Sequence, residues 1–518
     1  MTIEFPERFN MSDYFLYHNV EEGREGKVCL YFGDERYTYG DAARLSNRAG
    51  NALRESGARI EDRVLIVLPD CPEFAWVWFG AARVGAVIAM VNPLLPAADY
   101  DYYLDYTRAP VAVIHESLLE NFTRAARGAK YLKRVLVVGA ERGGFESFAE
   151  VTNAMPDECA RADTSRDDLA IWLFTSGSTG HPKAAVHLQH DLPYNTEAYA
   201  KRVLGVNEND ITVAVPKLFF GYATGTNLLF PFSVGGATAL FAERSTPEKL
   251  FDVIERYRPT ILTSVPTMIN SMLNLEGAAG RGLSSLRCCL SAGEALPAEL
   301  YERWVQTFGV EILDGIGSAE MFHIYITNRP GDVKPGSLGR VVEGYEARVV
   351  DADGRELPPG QMGTLKVRGD SAALCYWRAH EKSKETFAGD WCTTGDQFHV
   401  DPEGYFWYHG RTDDMLKVSG IYVAPVEIES CLMRHEAVVE CAVVGHDDGD
   451  HLVKPKAFVV AREGFDANDD LAASLKEFVK STLAPYKYPR WIEFVASLPK
   501  NDRGKIDRKR LKAVTGDG

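Results

Sequence analysis

The feature that most constrains this chain is the nine-residue stretch TSGSTGHPK at residues 175–183, placed directly after the apolar run LAIWLF at 169–174. A short apolar run bounded by turn residues reads as a buried strand. The stretch after it holds two hydroxyl pairs, Thr175 with Ser176 and Ser178 with Thr179, together with Gly177, Gly180 and Lys183. Glycines let a backbone approach a ligand and turn its N–H groups inward, hydroxyls add donors, and a lysine adds charge. Such a loop either holds a polyphosphate or is a Ser- and Gly-rich surface turn. It does not follow the Walker A order, because Lys183 is preceded by Pro182 and followed by Ala184. Pro182 stiffens the loop and argues against a helix that begins at the lysine.

A chain of 518 residues is too long for one core, so at least two domains are expected. Residues 37–57 carry Leu45, Ala49, Ala52 and Leu53 at helical spacing, with Gly57 as a C-terminal stop. Apolar strands are expected at 64–68, 111–114 and 135–139, and residues 71–91 read as a helix running into a strand. The same texture returns after the glycine-rich loop, with strands at 211–215, 261–265, 286–290 and 311–313 and a helix at 247–257. Strands alternating with helices give a mostly parallel sheet covered on both faces. From about residue 336 the pattern becomes short alternating strands broken by Gly339, Gly344, Gly354, Gly360 and Gly363, which predicts a small β subdomain of barrel type over 336–410. After Arg411 the chain is αβ again, with helices at 426–435 and 471–483 and strands at 440–444 and 456–461. The expected fold is therefore α/β. A large N-terminal domain, 1–412, has two αβ layered sheets plus the β subdomain, and a small mobile α+β C-terminal domain occupies 413–518.

Four further stretches carry side chains suited to a nucleotide. Gly293, Glu294 and Ala295 follow one expected strand and could lie flat on a planar ring, although taken alone they read first as an ordinary turn into the helix that begins near Pro297. Asp314, Gly315, Ile316, Gly317 and Glu320 follow another. There Asp314 could accept from an exocyclic amine and Glu320 could hold a divalent cation, since Mg²⁺ needs only one or two carboxylates beside phosphate oxygens. Asp396, after Thr394 and Gly395, could take both hydroxyls of a ribose. The basic run PKNDRGKIDR at 499–508 ends the series, and its alternative is a solvated charge run.

These pieces, in this order, resemble the adenylate-forming superfamily of acyl-CoA synthetases, peptide-synthetase adenylation domains and luciferases. PKLFFGY at 216–222, DGIGSAEMFHI at 314–324 and MLKVSGIYVAPVEIE at 415–429 are similar to the benzoate–CoA ligase group. The resemblance covers nearly the whole chain. It implies two half-reactions: a carboxylate attacks the α-phosphate of ATP to give an acyl-adenylate and pyrophosphate, and the thiol of CoA then displaces AMP. It also implies that Thr175, Ser176, Gly177, Ser178, Thr179 and Gly180 wrap the β- and γ-phosphates with Lys183 nearby. Gly293, Glu294 and Ala295 then flank adenine, Asp314 meets its amine, Glu320 ligates Mg²⁺, Asp396 takes the ribose and Arg411 lies close to ribose or phosphate. Lys505 reaches both carboxylate and α-phosphate. Asp413 is the hinge about which the C-terminal domain rotates, and Ser419 and Gly420 border the pantetheine tunnel. The acid pocket falls to Phe219, Phe220, Gly221, Tyr222, Ala223, Ile316, Gly317, His323 and Ile324, with one of the two phenylalanines as a gate. His323 either contacts a ring hydroxyl or amine or fills space.

Two places depart from the family pattern. Ala319 stands where a threonine hydroxyl usually meets the α-phosphate, and Gly221-Tyr222-Ala223 stands where benzoate ligases carry Ala-Tyr-Gly. The expected activity is AMP-forming ligation of benzoate, aminobenzoate or hydroxybenzoate to CoA. Two alternatives stay open: an adenylation enzyme loading a carrier-protein pantetheine, and a nucleotide-binding regulator without catalysis. A net charge of −16 speaks against nucleic-acid or anionic-membrane partners. No apolar run is long enough to span a bilayer, no secretion signal is visible at the start, and nine scattered cysteines fit a reduced, cytoplasmic protein that is a monomer or homodimer.

Overall fold

The computed structural model describes residues 3–175, 182–418, 421–447, 453–500 and 506–514. Two large sheets dominate it. The first has eight strands and runs in the order Cys375–Tyr376, Lys183–Leu188, Leu169–Thr175, Val87–Met90, Arg63–Val67, Val111–His115, Arg134–Val138, Glu146–Ser147. Its interior strands pair in parallel, and Lys183–Leu188 turns back antiparallel on Leu169–Thr175. The second has nine strands: parallel pairs join Cys288–Ala292 to Ile312–Gly317 and to Ile261–Ser264, and an antiparallel strand, Ile324–Thr327, lies on the far side of Ile312–Gly317.

Helices between the sheets read from the sequence as expected. Tyr39–Glu55 starts at a capping box in which the Thr38 hydroxyl accepts from the Asp41 amide and the Asp41 carboxylate accepts from the Thr38 amide. Gly57, at φ +96°, takes the left-handed turn after its end. Helix Pro72–Arg83 buries ten of its twelve residues, because both of its faces meet apolar neighbours. Aromatic rings fill the space beside it; Phe79 stacks on Phe232 with centroids 5.3 Å apart. This core joins residues of both sheets into one cluster.

Over 346–411 the small β region is a five-stranded antiparallel sheet, with Gly363–Arg368 and Trp391–Val400 at its centre and Phe406–Arg411 on the flank. A 3-10 turn, Thr412–Asp414, leads from it into the hairpin of Leu416–Val418 and Ile421–Val423. A last sheet, Val438–Asp447, Val453–Ala461 and Trp491–Phe494, packs on helices Pro425–Leu432 and Asp469–Thr482 around its own core. Among the described residues no helix is long and apolar enough to cross a membrane, and all nine cysteines are free thiols, eight of them buried.

Candidate active site

The strands on either side of the glycine-rich stretch pair antiparallel, with Thr175 opposite Lys183 in the register. Lys183 begins a strand and not a helix, which agrees with the argument from Pro182 against a helix starting there. Ser176, Gly177, Ser178, Thr179 and Gly180 lie outside the described residues, as do Ser419, Gly420 and Lys505. The Lys183 ammonium sits 5.9 Å from the ring centre of Tyr376. The Tyr376 hydroxyl donates to Glu320 Oε1 at 2.5 Å. Lys183 and Glu320 thus flank one phenol, a residue that nothing in the sequence marked. Glu320 rides on the 3-10 turn Ala319–Met321, which ends at Phe322 with the unusual φ of +66°.

Beneath that turn lies a buried pair that the sequence reading also missed. His187 Nε2 is 2.7 Å from the Ala319 carbonyl, and its Nδ1 is 2.8 Å from Asp191 Oδ2. A carbonyl only accepts, so Nε2 donates the hydrogen to Ala319. At the position of the missing threonine, the Ala319 backbone is therefore pinned from below.

The nucleotide-side residues differ from expectation in one respect. Asp314, Gly315, Ile316 and Gly317 were read as a loop after a strand ending at 313, yet the strand is Ile312–Gly317. Glycine and aspartate are poor strand formers, so sequence ends the strand early. Pairing on both sides overrides this: Asp314 faces Ser291, and Ile316 faces Ile326. A Cβ at Gly315 would stand 2.7 Å from the Ile326 carbonyl oxygen, and one at Gly317 2.5 Å from that of His323. Only residues without side chains let the strands close here. The neighbouring strand likewise runs on, to Ala292.

Asp314 is consequently 4% exposed, with Oδ1 lacking a hydrogen-bond partner among the described residues. Burial pushes its carboxyl up to about 8, against the pull of Ser291 and the Gly315 and Leu296 amides. Gly293 makes the following turn at φ +90°. The Glu294 carboxylate accepts from the amide and hydroxyl of Thr267 at 3.1 and 2.7 Å, which caps helix Pro266–Leu273. Asp396 and Arg411 are register partners across the β region, with Nη1 and Oδ1 3.4 Å apart.

A cavity of about 210 Å³ separates these groups from the C-terminal segment. Thr267, Gly293, Glu294, Ala295 and Arg411 line one wall, and Glu429, Glu440, Ile506 and Arg508 the other. Arg508 is clamped to Glu429 by two bonds of 2.5 and 2.7 Å and donates to the Val443 carbonyl at 2.8 Å. The sequence reading had Arg508 only as part of a basic run.

The residues assigned to the acid pocket meet on both sides of Ile312–Gly317. Phe219 and Phe220 pack with ring centres 4.4 Å apart; Phe219 is buried and Phe220 half-buried, which makes Phe220 the better placed to move. Helix Gly221–Thr224 follows, with Ala223 fully buried. The Tyr222 carbonyl accepts from His323 Nε2 at 3.0 Å, and the two rings lie 5.2 Å apart. Nε2 therefore holds the imidazole hydrogen, and among the described residues Nδ1 is an acceptor without a partner and the Tyr222 hydroxyl a donor without one. Burial pushes His323 down to about 4, so the ring is neutral near pH 7. Ile324 pairs with Gly317 in the register.

Known proteins resemble this chain over nearly its whole length. The family model described as AMP-binding enzyme matches residues 16–377, and that of the AMP-binding enzyme C-terminal domain matches 427–505. The chain is 45% identical to a benzoate–CoA ligase of Thauera aromatica over 99% of this chain and 97% of that one. The solved structure of an anthranilate CoA ligase in complex with anthranoyl-AMP superposes with a TM-score of 0.95 at 39% identity, covering 99% of this chain and 98% of that one. A benzoate CoA ligase from Burkholderia xenovorans superposes at 0.91 with 41% identity, covering 97% and 99%. The chain thus belongs to the AMP-binding enzyme family. Within that family it falls in the benzoate–CoA ligase group.

Proposed function

We propose that this protein is an AMP-forming aryl-CoA ligase acting on benzoate or a ring-substituted benzoate. One observation carries the reading most of the way: a single strand, Ile312–Gly317, bears the candidate adenine contact Asp314 and the candidate acid contacts Ile316 and Gly317. Three residues of strand span about 10 Å, the scale of a nucleotide's reach from base to α-phosphate, so the acid's carboxylate and that phosphate meet over the same strand end. Relatives whose names specify benzoate and anthranilate support an aromatic acid.

In this reading Thr175, the glycine-rich loop and Lys183 receive the triphosphate. Asp396 and Arg411 receive the ribose. Glu320, steadied by Tyr376 and by the His187 contact at Ala319, is the carboxylate that would hold Mg²⁺, and one acidic oxygen donor beside phosphates fits that ion. Lys505 bridges the two anions as they approach; such preorganised charge contributes about 10²–10³ in rate. CoA is the acceptor of the acyl group. His323 Nδ1 and the Tyr222 hydroxyl offer one acceptor and one donor to a ring amine or hydroxyl.

AMP formation with benzoate, 2-aminobenzoate, 3- and 4-hydroxybenzoate and a medium-chain fatty acid tests the reading, with CoA or a phosphopantetheinylated carrier as acceptor. Turnover of aromatic acids with CoA is expected. Preference for the fatty acid, or for the carrier, would overturn it.

A further inference from the structure

Asp70 is a fully interior carboxylate that the reaction does not use. It stands between strand Arg63–Val67 of the eight-stranded sheet and the start of helix Pro72–Arg83, and it is 1% exposed. Its Oδ1 accepts a 2.7 Å hydrogen bond from the Leu218 amide, 148 residues away in the loop that follows strand Ile211–Ala214 of the other sheet. Leu218 is also held at its carbonyl, which accepts from the Thr224 hydroxyl at 2.6 Å. The residue before it is tied as well: the Lys217 ammonium donates to the Phe241 carbonyl at 2.8 Å and lies 3.6 Å from the centre of that ring. Phe219, Phe220, Gly221 and Tyr222, the candidate wall of the acid pocket, come directly after this anchored point.

We propose that Asp70 is a positioning residue for aromatic-acid recognition, latching the 217–222 loop of one sheet to the other so that the pocket wall is fixed before substrate arrives. This rests on the reading of that loop as the acid pocket. A carboxylate in the interior is costly unless it is hydrogen-bonded or paired. Burial pushes Asp70 up to about 6, opposed by the Lys217 cation and the Leu218 amide. An ordinary loop would not need such a group, since any apolar side chain would fill the space without that cost. Two tethers from two different elements hold the peptide groups on both sides of Leu218, the 217–218 group through its N–H and the 218–219 group through its carbonyl. A wall fixed in that way discriminates ring size by shape rather than by closing around whatever enters.

The experiment uses the full chain with ATP, CoA and benzoate. Asp70→Ala is expected to raise the KM for benzoate roughly tenfold or more while changing that for ATP less than about twofold, because a loosened wall misplaces the acid and not the nucleotide. Asp70→Asn, whose amide oxygen still accepts from Leu218, should stay close to wild type. Thr224→Val, which cuts the other tether, should reproduce the benzoate-selective change; it serves as the decisive variant if Asp70→Ala does not fold. Equal effects on both KM values, or an unchanged benzoate KM in both tether variants, overturn the latch. Wild-type protein that forms no AMP with any aromatic acid overturns instead the reading of the pocket.

Discussion

Asp314 carries an acid that the fold keeps from water, and this has a thermodynamic signature. Its carboxyl titrates near 8 when folded and near the ordinary carboxylate value when unfolded. Between those values the folded state holds a proton that the unfolded chain has released, so stability falls as pH rises from about 4 to about 8. Asp314→Asn lacks this slope. Urea denaturation of unliganded protein should show the variant gaining on wild type steadily between pH 5 and pH 8.5; a constant difference across that range would contradict the burial argument. Gly225 makes a second residue-scale case. It sits in a helical segment, where glycine costs about 0.5–1 kcal/mol relative to alanine. The reason for it is steric, since a Cβ there would fall 2.5 Å from His323 Cδ2. Gly225→Ala should displace the imidazole, destabilise the protein by about 1–3 kcal/mol and lower kcat/KM for substituted benzoates more than for benzoate itself. Thermal melts and a two-substrate comparison check both parts.

At the scale of elements, legibility tracked local signals. Helix Pro247–Tyr257 falls where its apolar spacing put it, with Pro247 inside the start and the Thr246 hydroxyl as cap. The helix after Thr38 is marked by the Thr38–Asp41 box in the same way. Thr38→Ala should cost about 1 kcal/mol in chemical denaturation and leave activity intact, because the cap lies on a helix rather than in the crevice. Strand Ile312–Gly317 shows the opposite. Its second half is written Asp-Gly-Ile-Gly, which locally means turn, and it is strand only because two neighbours pair with it. Gly317→Val should break the Gly317–Ile324 pairing and cost roughly a hundredfold in aromatic-acid turnover, with loss of binding seen by calorimetry. Unchanged calorimetric affinity for benzoate in that variant would place the acid elsewhere.

At the scale of the whole molecule, the crevice lies between the sheets and the C-terminal segment, and among the described residues Asn270 reaches across it, donating to the Val439 carbonyl at 3.0 Å. Polar contact of this kind suits lobes that move relative to one another. A hinge at Asp413, within the Thr412–Asp414 turn, would let one pose bring the Lys505 segment in and another withdraw it. Lys505→Ala should abolish adenylate formation yet leave thiolysis of supplied benzoyl-AMP largely intact, and Asp413→Pro should impair one half-reaction more than the other. Pyrophosphate release and CoA-thioester formation, measured separately, decide both.

Order along the chain was enough to establish the family, because hydroxyl, glycine and lysine groups that handle phosphate must recur at nearly fixed places. The helices and interior strands were legible for a similar reason, being periodic and locally punctuated. What required the tertiary structure were the relations between distant residues. These include the phenol of Tyr376 between Lys183 and Glu320, the His187–Asp191 pair under Ala319, the depth of Asp314 and the bond from Asp70 to Leu218. Tyr376, the Ala319 carbonyl and Leu218 meet their partners from elements far away in the sequence, and burial, pairing and proton affinity are properties of what surrounds a residue rather than of the residue itself.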